Sequence, residues 1–427
     1  MEETRFESYK KSRGLYILEA AVEYFIHLCV TATFLTAILN EIGVSAALQG
    51  IVGSIASLAY STQLLAVFCV RRTYPCKRWV SILNLISQLM FALMYCVPMV
   101  QIPQGVKIGA VIAFLLLAYG LQNYLTPSRT GWHMSLVEDN KRGVFTANKE
   151  IVSLIGGMIF SQCAGILMDH FRARGQVQTC FVIFAVTVTV LSVLHLAIML
   201  SMKEPMPQNP ASPKRAGEIL RTVFGNRDLR TVIIFDVLYE ISVVSMHFSA
   251  VYVKNDLNYT YTQITLIAAL GAVLRAVVSR SLGRYADRRS WVALMRLCMT
   301  VSAVGFAIYA FCVPSIAWLY VLFYLCYSFS MGGTNSGRMN LCFDYVAHED
   351  RRYILGIKAT VSGLVGFGAS LLAALLVDGI EERGNTLLGL SVYPQQVLFG
   401  FTALMLATLV IFFLPRLDKR KNAANYC

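Results

Sequence analysis

The chain has 427 residues, of which 56% are hydrophobic and only 14% charged. Soluble domains carry about 25% charged residues, so a water-facing globular protein is excluded and lipid is the solvent this composition asks for. The net charge of +13 does not point to nucleic acid, because the basic residues stand in short clusters between apolar runs, where membrane helices are anchored on their cytoplasmic side.

The first such cluster, Lys10, Lys11 and Arg13, precedes an apolar run. That run is too long for a signal peptide, holds Glu19 and Glu23, and lacks a small-residue cleavage site, so it reads as the first membrane helix. A span needs about 20 apolar residues. Twelve are expected, near 14–39, 46–70, 79–101, 107–128, 148–169, 177–202, 230–253, 261–283, 291–313, 316–339, 355–378 and 396–414. The longest polar break, 203–229, contains Pro205, Pro207, Pro210 and Pro213. It reads as a cytoplasmic linker between two six-helix halves, 1–202 and 230–427. With both termini cytoplasmic, the cytoplasmic connections hold 25 Lys and Arg, and the opposite ones only Lys107, Arg172, Arg174, Lys254 and Arg383. This asymmetry predicts a multi-pass protein of the cell inner (plasma) membrane with both ends inside. The eleven cysteines are scattered, with no disulfide or zinc spacing.

The halves repeat. Residues 137–169 align without gaps to 346–378, an offset of 209, with ten of 33 positions identical, among them Arg142/Arg351, Lys149/Lys358, Ser153/Ser362 and Gly157/Gly366. Arg129/Arg338 keeps the same offset. Six helices, an even number, separate the repeat units, so the units share one orientation. The expected fold is therefore an all-α membrane protein, twelve transmembrane helices arranged as two six-helix bundles related by a parallel repeat. Secondary carriers use that architecture, with a site near the midplane.

Charge inside spans is expensive, at least about 2.5 kcal/mol per group at the centre. Span 1 nonetheless carries Glu19, Glu23 and His27 at i, i+4, i+8, one stripe on a helix. From an entry near Gly14, Glu23 lies about 14 Å deep. Span 7 carries Asp236 and Glu240, again i, i+4, with His247 on the same side. Near the start of the halves the offset is 215 (Asn40-Glu41 against Asn255-Asp256), which pairs Glu23 with Leu238 rather than Glu240, so the stripes are not strict repeat mates. Two carboxylates one turn apart in a dry cavity should not both ionise, which suits a proton carrier. Glu19, Glu23, Asp236 and Glu240 are the candidate proton-coupling residues, set against permanently paired acids such as Glu240 with Arg275. His27, Asn123, Tyr239, His247 and Arg275 are candidates for substrate contact. Arg275 either neutralises an acid or binds an anionic group. Glu23 and His27 have metal-ligand spacing, but no HExxH occurs and no third ligand is fixed, so neither metal nor cofactor is expected.

Between spans 8 and 9 stands Gly283-Arg284-Tyr285-Ala286-Asp287-Arg288-Arg289. This resembles the loop signature of the major facilitator superfamily, a glycine, three residues, then Asp-Arg and further basic residues. The family repeats the signature between spans 2 and 3, where this chain has Arg71-Arg72-Thr73-Tyr74-Pro75-Cys76-Lys77-Arg78, basic but without the aspartate and glycine. The resemblance implies a carrier working by alternating access. It also implies that Gly283, Asp287 and Arg288 latch cytoplasmic helix ends, Gly283 by close backbone approach and Asp287 by pairing with its arginines. Arg129, Glu138, Arg142, Arg338 and Arg351 would join cytoplasmic charge networks. The family's antiporters often carry Gly-Pro in span 5. Here Ser153-Leu154-Ile155-Gly156-Gly157-Met158 has no proline, which tilts the reading toward uptake. The expected function is secondary transport of a small polar solute coupled to protons, by a monomer in a lipid bilayer. The rivals are a proton-antiporting exporter of drugs or metabolites and, from another class, a membrane-embedded enzyme or sensor. No long soluble segment and no nucleophile–base pair supports the last.

Overall fold

The computed structural model describes residues 7–69, 75–138, 142–205, 216–343, 351–387 and 389–417, nearly all of them helical. The first apolar run forms α1, Lys10–Cys29, and α2, Ala32–Ile42. Gly43 closes α2 at φ +80°, a left-handed position that glycine adopts without a Cβ penalty. The expected second span comes in three pieces, α3 (Ala46–Gly53), α4 (Ile55–Ala59) and α5 (Ser61–Cys69). At the first break, the Ser54 hydroxyl donates to the Ile51 carbonyl at 2.7 Å, a back-bond that bends helices. Then follow α6 (Lys77–Cys96), α7 (Gln104–Met134), α8 (Arg142–Ala173) and α9 (Val177–Ser201).

Past the expected linker come α10 (Ala216–Gly225), α11 (Arg227–Ser242), α12 (Met246–Val251), α13 (Tyr261–Arg288), α14 (Trp291–Ala310), α15 (Leu319–Phe343), α16 (Arg351–Glu381) and α17 (Pro394–Thr408). A two-residue antiparallel pair, β1 (Thr386–Leu387) and β2 (Leu390–Ser391), joins α16 to α17 with Thr386 opposite Ser391. Among the described residues ten helices are long and apolar enough to cross a membrane. The two expected spans missing from that set are the broken 46–70 and 316–339. In the latter, α15 is 25 residues long, about 37 Å, but its Tyr, Ser and Asn residues lower its hydropathy.

The chain divides into two compact units. The first comprises residues 1–44 and 59–214, the second 45–58 and 215–427. In the first, α1 packs on α8 and α9, and α6 packs on α7 and α9. Its core near the start of α1 gathers Tyr16, Val80, Leu125, Trp132, Leu136 and Met199. Polar bonds close the same end. The Trp132 indole donates to the Lys203 carbonyl at 3.0 Å. The Lys203 amide donates to Ser12 Oγ at 3.0 Å. The Glu204 carboxylate accepts from the amides of Cys76 (2.6 Å) and Lys77 (3.1 Å) at the α6 N-terminus. An anion there meets the positive end of the helix dipole. Burial, with that carboxylate alongside, pushes the Cys76 thiol up to about 12.

In the second unit α11 packs on α16, and α14 packs on α15 and α17. Phe306, Tyr309, Phe323 and Phe399 fill its centre, the Tyr309 and Phe399 rings stacked at 3.8 Å. Residues 45–58 belong here because α3 lies on α12 and α16. Phe248 packs against Gly50 so closely that a Cβ would overlap its ring. Outward faces carry Val277, Leu372, Leu375 and Leu404, each largely exposed. Such apolar surface is stable in lipid and aggregation-prone in water.

Candidate functional site

Among the described residues, each unit holds a buried ionic cluster. In the first unit α1 supplies Glu19, Glu23 and His27 on one face. Glu19 is 1% exposed. One of its carboxylate oxygens lies 2.9 Å from His195 Nε2 on α9, and the other 3.9 Å from His133 Nδ1 on α7. His195 Nδ1 faces two amides of α6, Asn84 Nδ2 at 3.0 Å and Gln88 Nε2 at 2.8 Å. Glu23, one turn on, accepts from the Arg129 guanidinium of α7, with His27 Nε2 at 4.0 Å. The α1 helix is held close to α8 at Gly157, where an added Cβ would collide with the Tyr24 ring. Small residues permit that approach in membranes.

In the second unit α11 supplies Asp236 and Glu240. Arg338 on α15 donates through Nε to Asp236 at 2.6 Å and through a terminal nitrogen to Glu240. Lys358 Nζ on α16 lies 3.2 Å from the same Asp236 oxygen, and the Ser362 hydroxyl donates to the other at 2.9 Å. The Arg338 guanidinium also lies over the Tyr239 ring at 4.4 Å. Two acids thus meet two permanent cations, with a hydroxyl and a ring face completing the shell.

These placements change several expectations. Arg129 and Arg338 were expected to join cytoplasmic charge networks. Instead both turn to the acidic stripe of their own unit, because a buried carboxylate left unpaired costs more than a guanidinium held in from the interface. Glu240 pairs with Arg338, not Arg275, and Arg275 on α13 is partly buried with no ion pair among the described residues. His247 leaves its stripe and meets Ser370 Oγ at 2.8 Å. Asn123 spends its amide on the Tyr119 carbonyl of its own helix at 3.0 Å.

The segment from Gly283 to Arg288 is not a loop but the last turns of α13. A Cβ on Gly283 would meet nothing within 4 Å, so no close backbone approach requires the glycine. Asp287 and Arg288 are exposed, with no ion pair among the described residues; solvent satisfies them. Glu138 lies partly exposed just past α7. Arg142 and Arg351 begin α8 and α16, but their side chains, like Arg71 and Arg72, lie outside the described residues.

Three ionisable cluster members, His195, His133 and Lys358, were not singled out as site residues, nor were the polar Asn84, Gln88 and Ser362. His195 carried a readable signal, since it is the only ionisable His, Lys, Arg, Asp or Glu in the 25 residues of α9. Ligand atoms of Glu19, Glu23 and His195 all lie within 4.8 Å of one another, a spacing a cation could use. The Arg129 charge already on Glu23 opposes a second cation there, so the cluster is not read as a metal centre.

The chain resembles solved carriers over nearly its whole length. It is similar to an aspartate-to-alanine mutant of the nucleoside transporter NupG (TM-score 0.74, 13% identity, 95% of this chain and 99% of that one covered). It is also similar to the POT family transporter PepTSo (0.72, 10%, 97% and 98%) and to a D-xylose-proton symporter (0.70, 12%, 96% and 99%). At these identities the likeness is one of fold. No curated protein matches it in sequence. The sequence profile of the Major Facilitator Superfamily matches residues 20–377, most of the chain. The chain belongs to the Major Facilitator Superfamily, a family of membrane transporters.

Proposed function

We propose that this protein is a secondary active transporter that moves a small polar solute by alternating access, coupled to protons. The observation that carries the reading is the first unit's stripe, in which Glu19 is buried among histidines rather than permanent cations. Histidine is the side chain whose ordinary charge change falls near neutral pH. Glu19 and Glu23 are the coupling acids. Asp236 and Glu240, neutralised by Arg338 and Lys358, are then a fixed brace. Arg275, Asn123, Tyr239, His27 and His247 remain the groups proposed to meet solute. The Arg288 end of α13, with Glu138, Arg142 and Arg351, is proposed to take part in gating at the cytoplasmic face.

The proposed architecture is twelve spans in two six-helix bundles, 1–202 and 230–427, joined by 203–229. Both termini are cytoplasmic, and the protein acts as a monomer in the inner (plasma) membrane. The similar structures include a nucleoside transporter and a D-xylose-proton symporter, which supports small polar solutes as the class.

The test is uptake of nucleosides, aldoses and short peptides into proteoliposomes, with and without an imposed pH gradient. Two pH units store about 2.7 kcal/mol, or up to about 100-fold accumulation for one proton per solute. One class should accumulate in wild type, and Glu23→Gln should move it only down its gradient. Movement of none would overturn the reading. Gradient-driven uptake unchanged in Glu23→Gln would remove Glu23 from the coupling role, and solute expelled against its gradient would make the protein an exporter.

A further inference from the structure

We propose that the coupled proton is held by the Glu19–His195 pair, and that Asn84 and Gln88 form a two-state amide cradle keeping this imidazole satisfied with or without it. The proposal rests on the proton-coupled reading above and names the site of coupling.

His195 is fully buried and has protein partners at both ring nitrogens. In neutral form, Nε2–H donates to Glu19 at 2.9 Å, and the Nδ1 lone pair accepts from the amide nitrogens of Asn84 (3.0 Å) and Gln88 (2.8 Å). A protonated imidazole has two donors and no acceptor, so Nδ1–H then needs an oxygen. Gln88 Oε1 is already 3.2 Å from Nδ1. Asn84 Oδ1 is buried with no partner among the described residues, so a half-turn of that amide offers a second acceptor. A carboxamide is suited to this because rotation exchanges donor for acceptor at constant shape. With an apolar neighbour, one of the two states would leave a buried group unpaired at a cost of about 1–3 kcal/mol.

The step balances simply. A hydronium ion delivers a proton, one of its O–H bonds breaks to leave water, and an N–H bond forms at Nδ1. The new positive charge sits against the Glu19 carboxylate, and release reverses the step.

Exposure grades toward the pair. The His27 side chain is 35% exposed and Glu23 17%, while Glu19 is 2% and His195 1%. Glu23 brings a carboxylate oxygen within 4.8 Å of both, a gap that a water or a rotamer change spans. The other ionisable groups facing the pair are Tyr16 and His27 on α1, and Arg129 and His133 on α7. From α8, Lys149 stands over the Tyr16 ring at 5.1 Å. From α6, the Asn84 and Gln88 amides contact the imidazole.

The test needs no solute. Full-length protein with 15N-labelled histidine, in lipid nanodiscs, is titrated from about pH 5 to about pH 9, and the ring-nitrogen signals are followed by NMR. The His195 signal is the one lost in His195→Gln. Should that variant not fold, the signal moved by Gln88→Leu identifies it. The expected result is reversible conversion between an Nε2–H neutral ring and a doubly protonated ring in wild type. That conversion should be abolished over the same range in Asn84→Leu/Gln88→Leu. In proteoliposomes, His195→Gln should lower gradient-driven accumulation to about one-fold. A wild-type ring fixed in one state throughout, as a purely structural histidine would be, overturns the proposal, as does unchanged titration in the double variant. Failure of the titration leaves transport itself standing, whereas absence of any solute movement defeats the transport reading while the titration stays readable.

Discussion

Glu19 and Glu23 in one unit, and Asp236 and Glu240 in the other, are alike in spacing, each pair one helical turn apart on a single helix. In each unit an arginine from a later helix reaches the stripe, Arg129 to Glu23 and Arg338 to both acids. The remaining partners differ in kind. Asp236 is closed by Lys358 and Ser362, an ammonium and a hydroxyl. Glu19 is closed by His195 and His133, side chains of the type whose ordinary charge change falls near neutral pH. Like stripes thus become an acid–cation cluster in one unit and an acid–histidine cluster in the other, the one proposed to respond to protons. The lesson is that a buried acid becomes a switch or a strut according to whether its partner can give up its charge.

The largest expected effect separates the two directly. Asp236→Leu strands Arg338 and Lys358 without their shared counter-charge and should cost about 3–5 kcal/mol, read as a collapse of the thermal unfolding midpoint in nanodiscs. Glu19→Gln should cost less, about 1–2 kcal/mol, because a glutamine amide can still hydrogen-bond the imidazoles, yet it should abolish gradient-driven accumulation. Equal destabilisation by the two substitutions would break the comparison.

A milder contrast sharpens it. Asp236→Leu combined with Lys358→Met removes both charges and leaves Arg338 with Glu240. Replacing a buried pair with apolar residues is often neutral or stabilising, so the double variant should recover most of what Asp236→Leu lost. If it remains as unstable as the single variant, the second cluster is more than a brace. The smallest effect concerns Glu204. Glu204→Gln weakens the anion at the α6 N-terminus and should cost about 0.3–1 kcal/mol without altering the pH dependence of uptake. A changed pH profile would tie that end to the proton site.

Much of the site was legible in chain order. The acids stood out because charge inside an apolar run of membrane length has few bland explanations, and Arg129 and Arg338 were marked as equivalent by their offset of 209. Their direction was not legible. A guanidinium stem reaches equally toward headgroups or toward a neighbouring helix, and periodicity names a face without naming what covers it. His195 escaped because one histidine in an apolar helix also reads as a satisfied core residue. Its meaning depends on Glu19, 176 positions away. The motif beginning at Gly283 erred the other way. It marked the family well, but its glycine faces open space and its aspartate faces solvent.

Composition and hydrophobic run length by themselves determined that this chain is helical and membrane-embedded, because hydrocarbon leaves a backbone no partner but its own helix. They also placed acids deep within two spans, since depth follows from counting residues at a fixed rise. Only the tertiary structure decided which acid meets lysine and which meets histidine. The partners come from helices more than 100 residues along the chain, and packing alone brings them within a hydrogen bond of each carboxylate.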